Sequence, residues 1–256
     1  MFDIFAQIGL WPMIAALALG FLAGFVKGSV GFGAPLVIVA SLTLFMDPKL
    51  VVAGLILPIL VSNAQQMLRQ GPSVALQAMK DYRVYLIVLA IFIFLSAQWM
   101  SKVPARQAYL LLGVPVFALS LIQLSGWKPV IPHAWRPAAT VIAAALSGIL
   151  GGVAGTWGPT TVMYLVALET PKVTQVVVQG VIFGLGGVIL LLGHLQSGIL
   201  NWATLPFSAA MILPIFLGMN AGFAVNDRID QETFRKATLV VLVLAGLNLI
   251  RRGLLG

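Results

Sequence analysis

Gly20-Phe21-Leu22-Ala23-Gly24-Phe25-Val26-Lys27-Gly28-Ser29-Val30-Gly31-Phe32-Gly33-Ala34-Pro35 places one lysine inside a segment otherwise apolar enough to cross a bilayer. Glycines at 20, 24 and 28 fall on one helical face and let a second helix approach closely. From Gly28 to Pro35 the glycines crowd, helix propensity falls, and the proline removes a backbone donor. At membrane depth an open backbone is tolerated only where protein buries it or it lines a wet cavity. A second run, Gly148-Ile149-Leu150-Gly151-Gly152-Val153-Ala154-Gly155-Thr156-Trp157-Gly158-Pro159, repeats the pattern. One interrupted hydrophobic segment in each half is the sequence mark of a transporter's substrate site.

The composition agrees. The chain has 256 residues, 60% hydrophobic and 9% charged. Soluble domains carry about 25% charged residues. This is the composition of an all-α polytopic membrane protein, with the lipid bilayer as its first partner. There is no cysteine, which excludes disulfides and thiolate chemistry, and two histidines are too few for a histidine-rich metal site. No cofactor is implied. The net charge of +8 is spread over short loops, so it points to membrane orientation and anionic headgroups and not to nucleic acid. Asp3 and the lack of a basic start give no sign of a cleavable signal peptide.

Outward from the first break, residues 10–26 and 34–46 form a pair. As one helix, 10–46 would be about 55 Å long against a hydrocarbon core of about 30 Å, so the pair reads as short or re-entrant pieces. Asp47-Pro48-Lys49 closes it. Segments follow at 50–68, 84–100 and 107–124, with a possible amphipathic stretch in the loop 69–83. The proline- and tryptophan-bearing linker 127–137 separates residues 1–126 from 138–256. The second half repeats the plan at 138–150, 160–168, 173–192, 202–225 and 237–250. Thr170-Pro171-Lys172 echoes Asp47-Pro48-Lys49, and Lys102-Val103-Pro104-Ala105 is echoed by Arg228-Ile229-Asp230-Gln231. The expectation is two repeats with 8–10 hydrophobic segments in all, each repeat holding a broken or re-entrant glycine-rich helix pair.

Five segments per half invert the second repeat. If the broken pairs alternate or re-enter, nine of the lysines and arginines fall on one side and five on the other, with Lys27 in the break. The nine-charge side is then cytoplasmic. Merging each broken pair into one span removes the bias.

At these residues the chain resembles the sulfite exporter TauE/SafE family, also called the toluene-sulfonate uptake permease family. The likeness is carried by Gly20-Phe21-Leu22-Ala23-Gly24, Gly31-Phe32-Gly33-Ala34-Pro35, Gly148-Ile149-Leu150-Gly151-Gly152 and Gly158-Pro159, with the paired Pro-Lys turns. The resemblance implies transport, often export, of sulfite, organosulfonates or related small anions across the bacterial inner membrane.

Candidate substrate-binding residues follow from the breaks. Lys27 is a counter-charge with no acidic neighbour in sequence; its bland reading is snorkelling or a helix cap. Gly28, Gly31, Gly33, Gly155 and Gly158 can expose N–H groups at half-helix ends, or simply pack. Ser29, Thr156 and Thr160 offer hydroxyls, which within a helix bond back to the preceding turn. Trp157 walls a cavity or sits in the lipid belt. Asn63 and Gln179 are the uncharged polar candidates of segments three and eight, with interhelical bonding as the alternative. His194 reads as interfacial. The competing functions are a transporter of a carboxylate or inorganic ion and a non-catalytic membrane assembly partner. An intramembrane enzyme lacks a catalytic set, and no P-loop is present. A homo-oligomer is compatible with this reading.

Overall fold

The computed structural model describes residues 3–68, 71–127, 130–225 and 231–255. Among them there are helices and no strands: α1 Asp3–Ile8, α2 Leu10–Val30, α3 Ala34–Leu42, α4 Pro48–Leu68, α5 Pro72–Asp81, α6 Arg83–Lys102, α7 Ala105–Leu124, α8 Arg136–Ala154, α9 Gly158–Ala167, α10 Lys172–Ser197, α11 Leu205–Val225 and α12 Gln231–Leu255. Seven helices among the described residues are long and apolar enough to cross a membrane: α2, α4, α6, α7, α8, α10 and α11. The amphipathic stretch expected between segments three and four is α5.

The first broken pair differs from the expectation. Helix α2 runs on to Val30, so Lys27, Gly28 and Ser29 are helical and lie in its last turns. At 21 residues it is about 31 Å long and not a short piece, whereas α3 has only 9 residues. The extra turns form because the stop signal is Gly31 and not Gly28. Gly31 takes the left-handed conformation, φ 88°, and its N–H reaches the Lys27 carbonyl at 2.7 Å. Helix α8 ends the same way at Gly155, φ 66°, with N–H to the Gly151 carbonyl at 2.6 Å. Only glycine enters this region cheaply. Pro35 and Pro159 then stand in the first turns of α3 and α9, where a missing N–H costs nothing.

Both pairs are hairpins. Thr140 near the start of α8 meets the Tyr164 hydroxyl near the end of α9 at 2.7 Å, and Ile131 N–H reaches the Ala167 carbonyl at 3.1 Å. In the first pair, Ile4 of α1 shares a pocket with Asp47 and Lys49, just past α3. Helix α10 starts beside the open end of the second hairpin and ends at Ser197, which lines that same pocket. The hairpins therefore open at opposite ends of the bundle.

Packing crosses between the halves of the chain. Helix α2 lies along α11, α6 along α8, α7 along α12, and α4 along α10. The α2–α11 seam is backbone on backbone. A Cβ on Gly24 would meet the Ile215 carbonyl, one on Gly28 the Met219 carbonyl, and those on Gly218 and Gly222 the carbonyls of Phe21 and Phe25. Gly148 and Gly152 serve α8 against α6 in the same way. The Lys102–Ala105 echo falls at 228–231, mostly outside the described residues.

Candidate functional site

The tips of the two hairpins meet. One cavity is lined by Lys27, Phe32, Gly33, Pro35, Leu36 and Asn63 from the first half, and by Gly155, Thr156, Trp157, Gly158, Pro159 and Phe183 from the second. It leaves about 20 Å³ open to the centre of a water molecule, room for about one water. An anion of several heavy atoms needs the hairpins to part.

Lys27 is 4% exposed. Its Nζ donates to Ser62 Oγ at 2.8 Å and to Asn63 Oδ1, both on α4. Asn63 is held by its own amide nitrogen, which donates to the Phe183 carbonyl of α10 at 2.8 Å. Among the described residues no carboxylate lines the cavity. An ammonium buried with neutral acceptors lacks the partner that normally offsets its desolvation. Two features favour its charge: it sits in the last turn of α2, at the negative end of the helix dipole, and its two acceptors are aimed at it. The first N–H groups of α3 and α9, at the same tips, have no partner within their own helices.

Trp157 is 2% exposed and its indole fills a slot cut by two glycines. A Cβ on Gly151 would lie 2.5 Å from the ring, and one on Gly186 3.3 Å from it. Gly151 holds in the second hairpin the place Lys27 holds in the first, four residues before the left-handed glycine. One tip thus carries a cation and the other an aromatic plate.

The other candidates are placed as follows. Gly33 (φ 100°), Gly155, Thr156 and Gly158 are at the cavity, with the Thr156 hydroxyl turned to the Leu150 carbonyl at 3.2 Å. Gly31 is at the first tip, where its carbonyl accepts from Gln66 at 3.4 Å. Gly28 is in the α11 seam, Ser29 bonds back to the Phe25 carbonyl at 2.9 Å, and Gln179 is buried on α10 one turn before Phe183; none of the three lines the cavity. Thr160 lies behind Trp157, donating to its carbonyl at 2.9 Å and meeting Ser147 Oγ at 2.6 Å. From there the Tyr85 hydroxyl continues the run, 2.8 Å from Ser147 and 3.0 Å from Thr161.

Sequence reasoning missed Ser62, Phe183, Tyr85 and Ser147, though it named Thr160 in the same run of hydroxyls. Ser62 was within reach, since it adjoins Asn63. Phe183 contributes a main-chain carbonyl, which no side-chain pattern reveals. His194, expected at an interface, is 0% exposed, with Nδ1 3.3 Å from Ser197 Oγ.

The family described as Sulfite exporter TauE/SafE matches residues 16–249. A Bacillus subtilis (strain 168) protein described as "Probable membrane transporter protein YunE" is 24% identical over 279 aligned positions, covering 94% of this chain and 98% of that protein. No solved structure matches. The matched stretch takes in both hairpins and the whole cavity, and the seven spanning helices make this an integral membrane protein. The chain belongs to the sulfite exporter TauE/SafE family of membrane transporters.

Proposed function

We propose that the chain is a secondary transporter that exports a small sulfur-containing anion, sulfite or an organosulfonate, across the bacterial inner membrane. The observation that carries this reading is the Lys27 ammonium, buried with neutral partners in a cavity built by both hairpin tips. The anion supplies the missing partner. Asn63 aims the ammonium, and the N–H groups opening α3 and α9 and the small residues Gly33, Gly155 and Gly158 let the anion approach closely. Trp157 forms the opposite wall. The two halves act as inverted repeats, and rocking one against the other opens the cavity to alternate sides. A cavity that holds one water is the closed member of that cycle.

A negative interior favours expulsion of an anion by about 2.3 kcal/mol per charge per 100 mV. Export down this gradient needs no carboxylate relay and no chemical step on the solute. A proton requirement that survives clamping of the membrane potential overturns this uncoupled cycle.

The test is binding to the purified chain by calorimetry or thermal shift, over sulfite, taurine, methanesulfonate and a carboxylate, beside Lys27→Ala. Saturable stabilisation by a sulfur anion, lost in the variant, is the expected result. Equal binding by the variant moves the site elsewhere, and preference for the carboxylate changes the substrate class.

A further inference from the structure

Resting on that reading, we infer that the site selects its substrate by charge state: it takes monoanions, bisulfite or a sulfonate, and rejects dianions of the same shape. The observation is a charge count. Of the twelve described residues lining the cavity, Lys27 alone carries a charge. The acceptors that hold it, Ser62 and Asn63, are neutral and are themselves tied down, Ser62 to the Ile59 carbonyl at 3.3 Å and Asn63 to Phe183. Two of the three ammonium hydrogens are therefore used on α4, and one remains for the cavity.

A single negative charge brought to that hydrogen makes the filled site neutral. A second charge has no cation to meet. The cavity has room for about one water as it stands, so an anion that enters sheds most of its hydration. Apart from the N–H groups opening α3 and α9 and the Thr156 hydroxyl, which is turned to Leu150, the surroundings are mostly the apolar Phe32, Pro35, Leu36 and Phe183, which return little of it. An uncompensated charge in such a place is held far more weakly than in water. Helix N-termini contribute only partial charges, and the C-terminal ends of α2 and α8 at the same tips work against them.

Among the described residues no other titratable side chain lines the cavity. Selection therefore acts on the ligand's own proton. Sulfite changes from monoanion to dianion near neutral pH, so the transported form is bisulfite. Sulfate, a dianion throughout, is excluded despite matching oxygen geometry.

The experiment compares three probes of like size on the full-length purified chain, at about pH 6 and pH 8.5. Methanesulfonate is a monoanion at both. Methylphosphonate passes from monoanion to dianion between them. Sulfate is a dianion at both. Affinity is read by calorimetry, and each value is divided by that of methanesulfonate at the same pH, which cancels any change in Lys27 itself. The expected result is a methylphosphonate ratio that falls at least tenfold as pH rises, with sulfate at least tenfold below methanesulfonate at both. A methylphosphonate ratio that is flat or rises, or sulfate binding on a par with methanesulfonate, overturns the charge selection while leaving an anion site in place. Failure of all three to bind folded protein overturns the anion reading, and this inference with it.

Discussion

Asn63 donates its amide nitrogen to the Phe183 carbonyl, and this one bond turns Oδ1 toward Lys27. The side chain is thereby an acceptor at the cavity, and α4 is pinned to α10 where the hairpin tips meet. Replacing that amide by a carboxylate tests the site without changing its shape. Asn63→Asp gives Lys27 an ionic partner on the spot where only a neutral oxygen now sits. Sulfonate affinity is expected to fall at least tenfold in calorimetry. The variant stays folded, because the new ion pair offsets the lost bond to Phe183, a cost of about 1–3 kcal/mol.

Lys27→Met separates function from stability. The methionine fills the volume of the lysine stem and removes a buried charge that has no ionic partner. Removing a buried charge without an ionic partner recovers its desolvation cost, and this offsets the loss of about 1–3 kcal/mol for each acceptor left open on Ser62 and Asn63. The thermal unfolding temperature in detergent is expected to equal or exceed that of the parent, with anion binding abolished. A large loss of stability means that the ammonium serves the fold.

Gly24→Ala and Gly31→Ala fail for different reasons. At Gly24 the added Cβ runs into the Ile215 carbonyl across the α2–α11 seam, and neither backbone can yield. Overpacking of this kind costs about 1–3 kcal/mol or more. At Gly31 nothing lies within 4 Å of the added Cβ, but φ is 88°, and the strain is of order 1 kcal/mol. Thermal denaturation should rank Gly24→Ala as the more damaging. The reverse order places the α2–α11 contact wrongly.

Tyr85→Phe removes the hydroxyl that joins α6 to both arms of the second hairpin through Ser147 and Thr161. Two buried partners lose a contact, for a cost of about 1–3 kcal/mol. The ring is kept, with its stacking on Tyr164 at 5.0 Å. Unfolding temperature is expected to drop. Hydrogen exchange should rise in α9, whose place depends on that hydroxyl, before it rises in α4.

Much of this was legible in the residues. Glycine at 20, 24 and 28 announced a close seam, and the partner positions, Gly218 and Gly222, carry the same four-residue spacing. The glycine–proline runs marked where helices stop, because a left-handed residue and a proline each carry a definite backbone meaning. The exact stop was misjudged by one turn. Propensity alone ends α2 at Gly28, but packing against α11 holds the helix through Ser29 until the left-handed Gly31 terminates it. Lys27, Asn63 and Trp157 stood out as polar or bulky residues in the wrong company. Ser29 stood out too, yet its hydroxyl is spent on Phe25. What sequence did not convey was the partnership of distant segments: that Phe183 offers a carbonyl, or that Gly151 and Gly186 together make the slot for an indole.

The seam between Gly24 and Ile215 also sets a timetable for biogenesis. These residues are 191 positions apart in the sequence (215 − 24), so α2 leaves the ribosome long before its main partner exists. At about 5–20 residues per second, the interval is on the order of ten seconds or more. Throughout it the lysine-bearing hairpin sits among insertion machinery and lipid without α11 to hold its glycine face. Truncation before α11 should leave α2 as a client for membrane quality control, and supplying the C-terminal part as a separate polypeptide should rescue it.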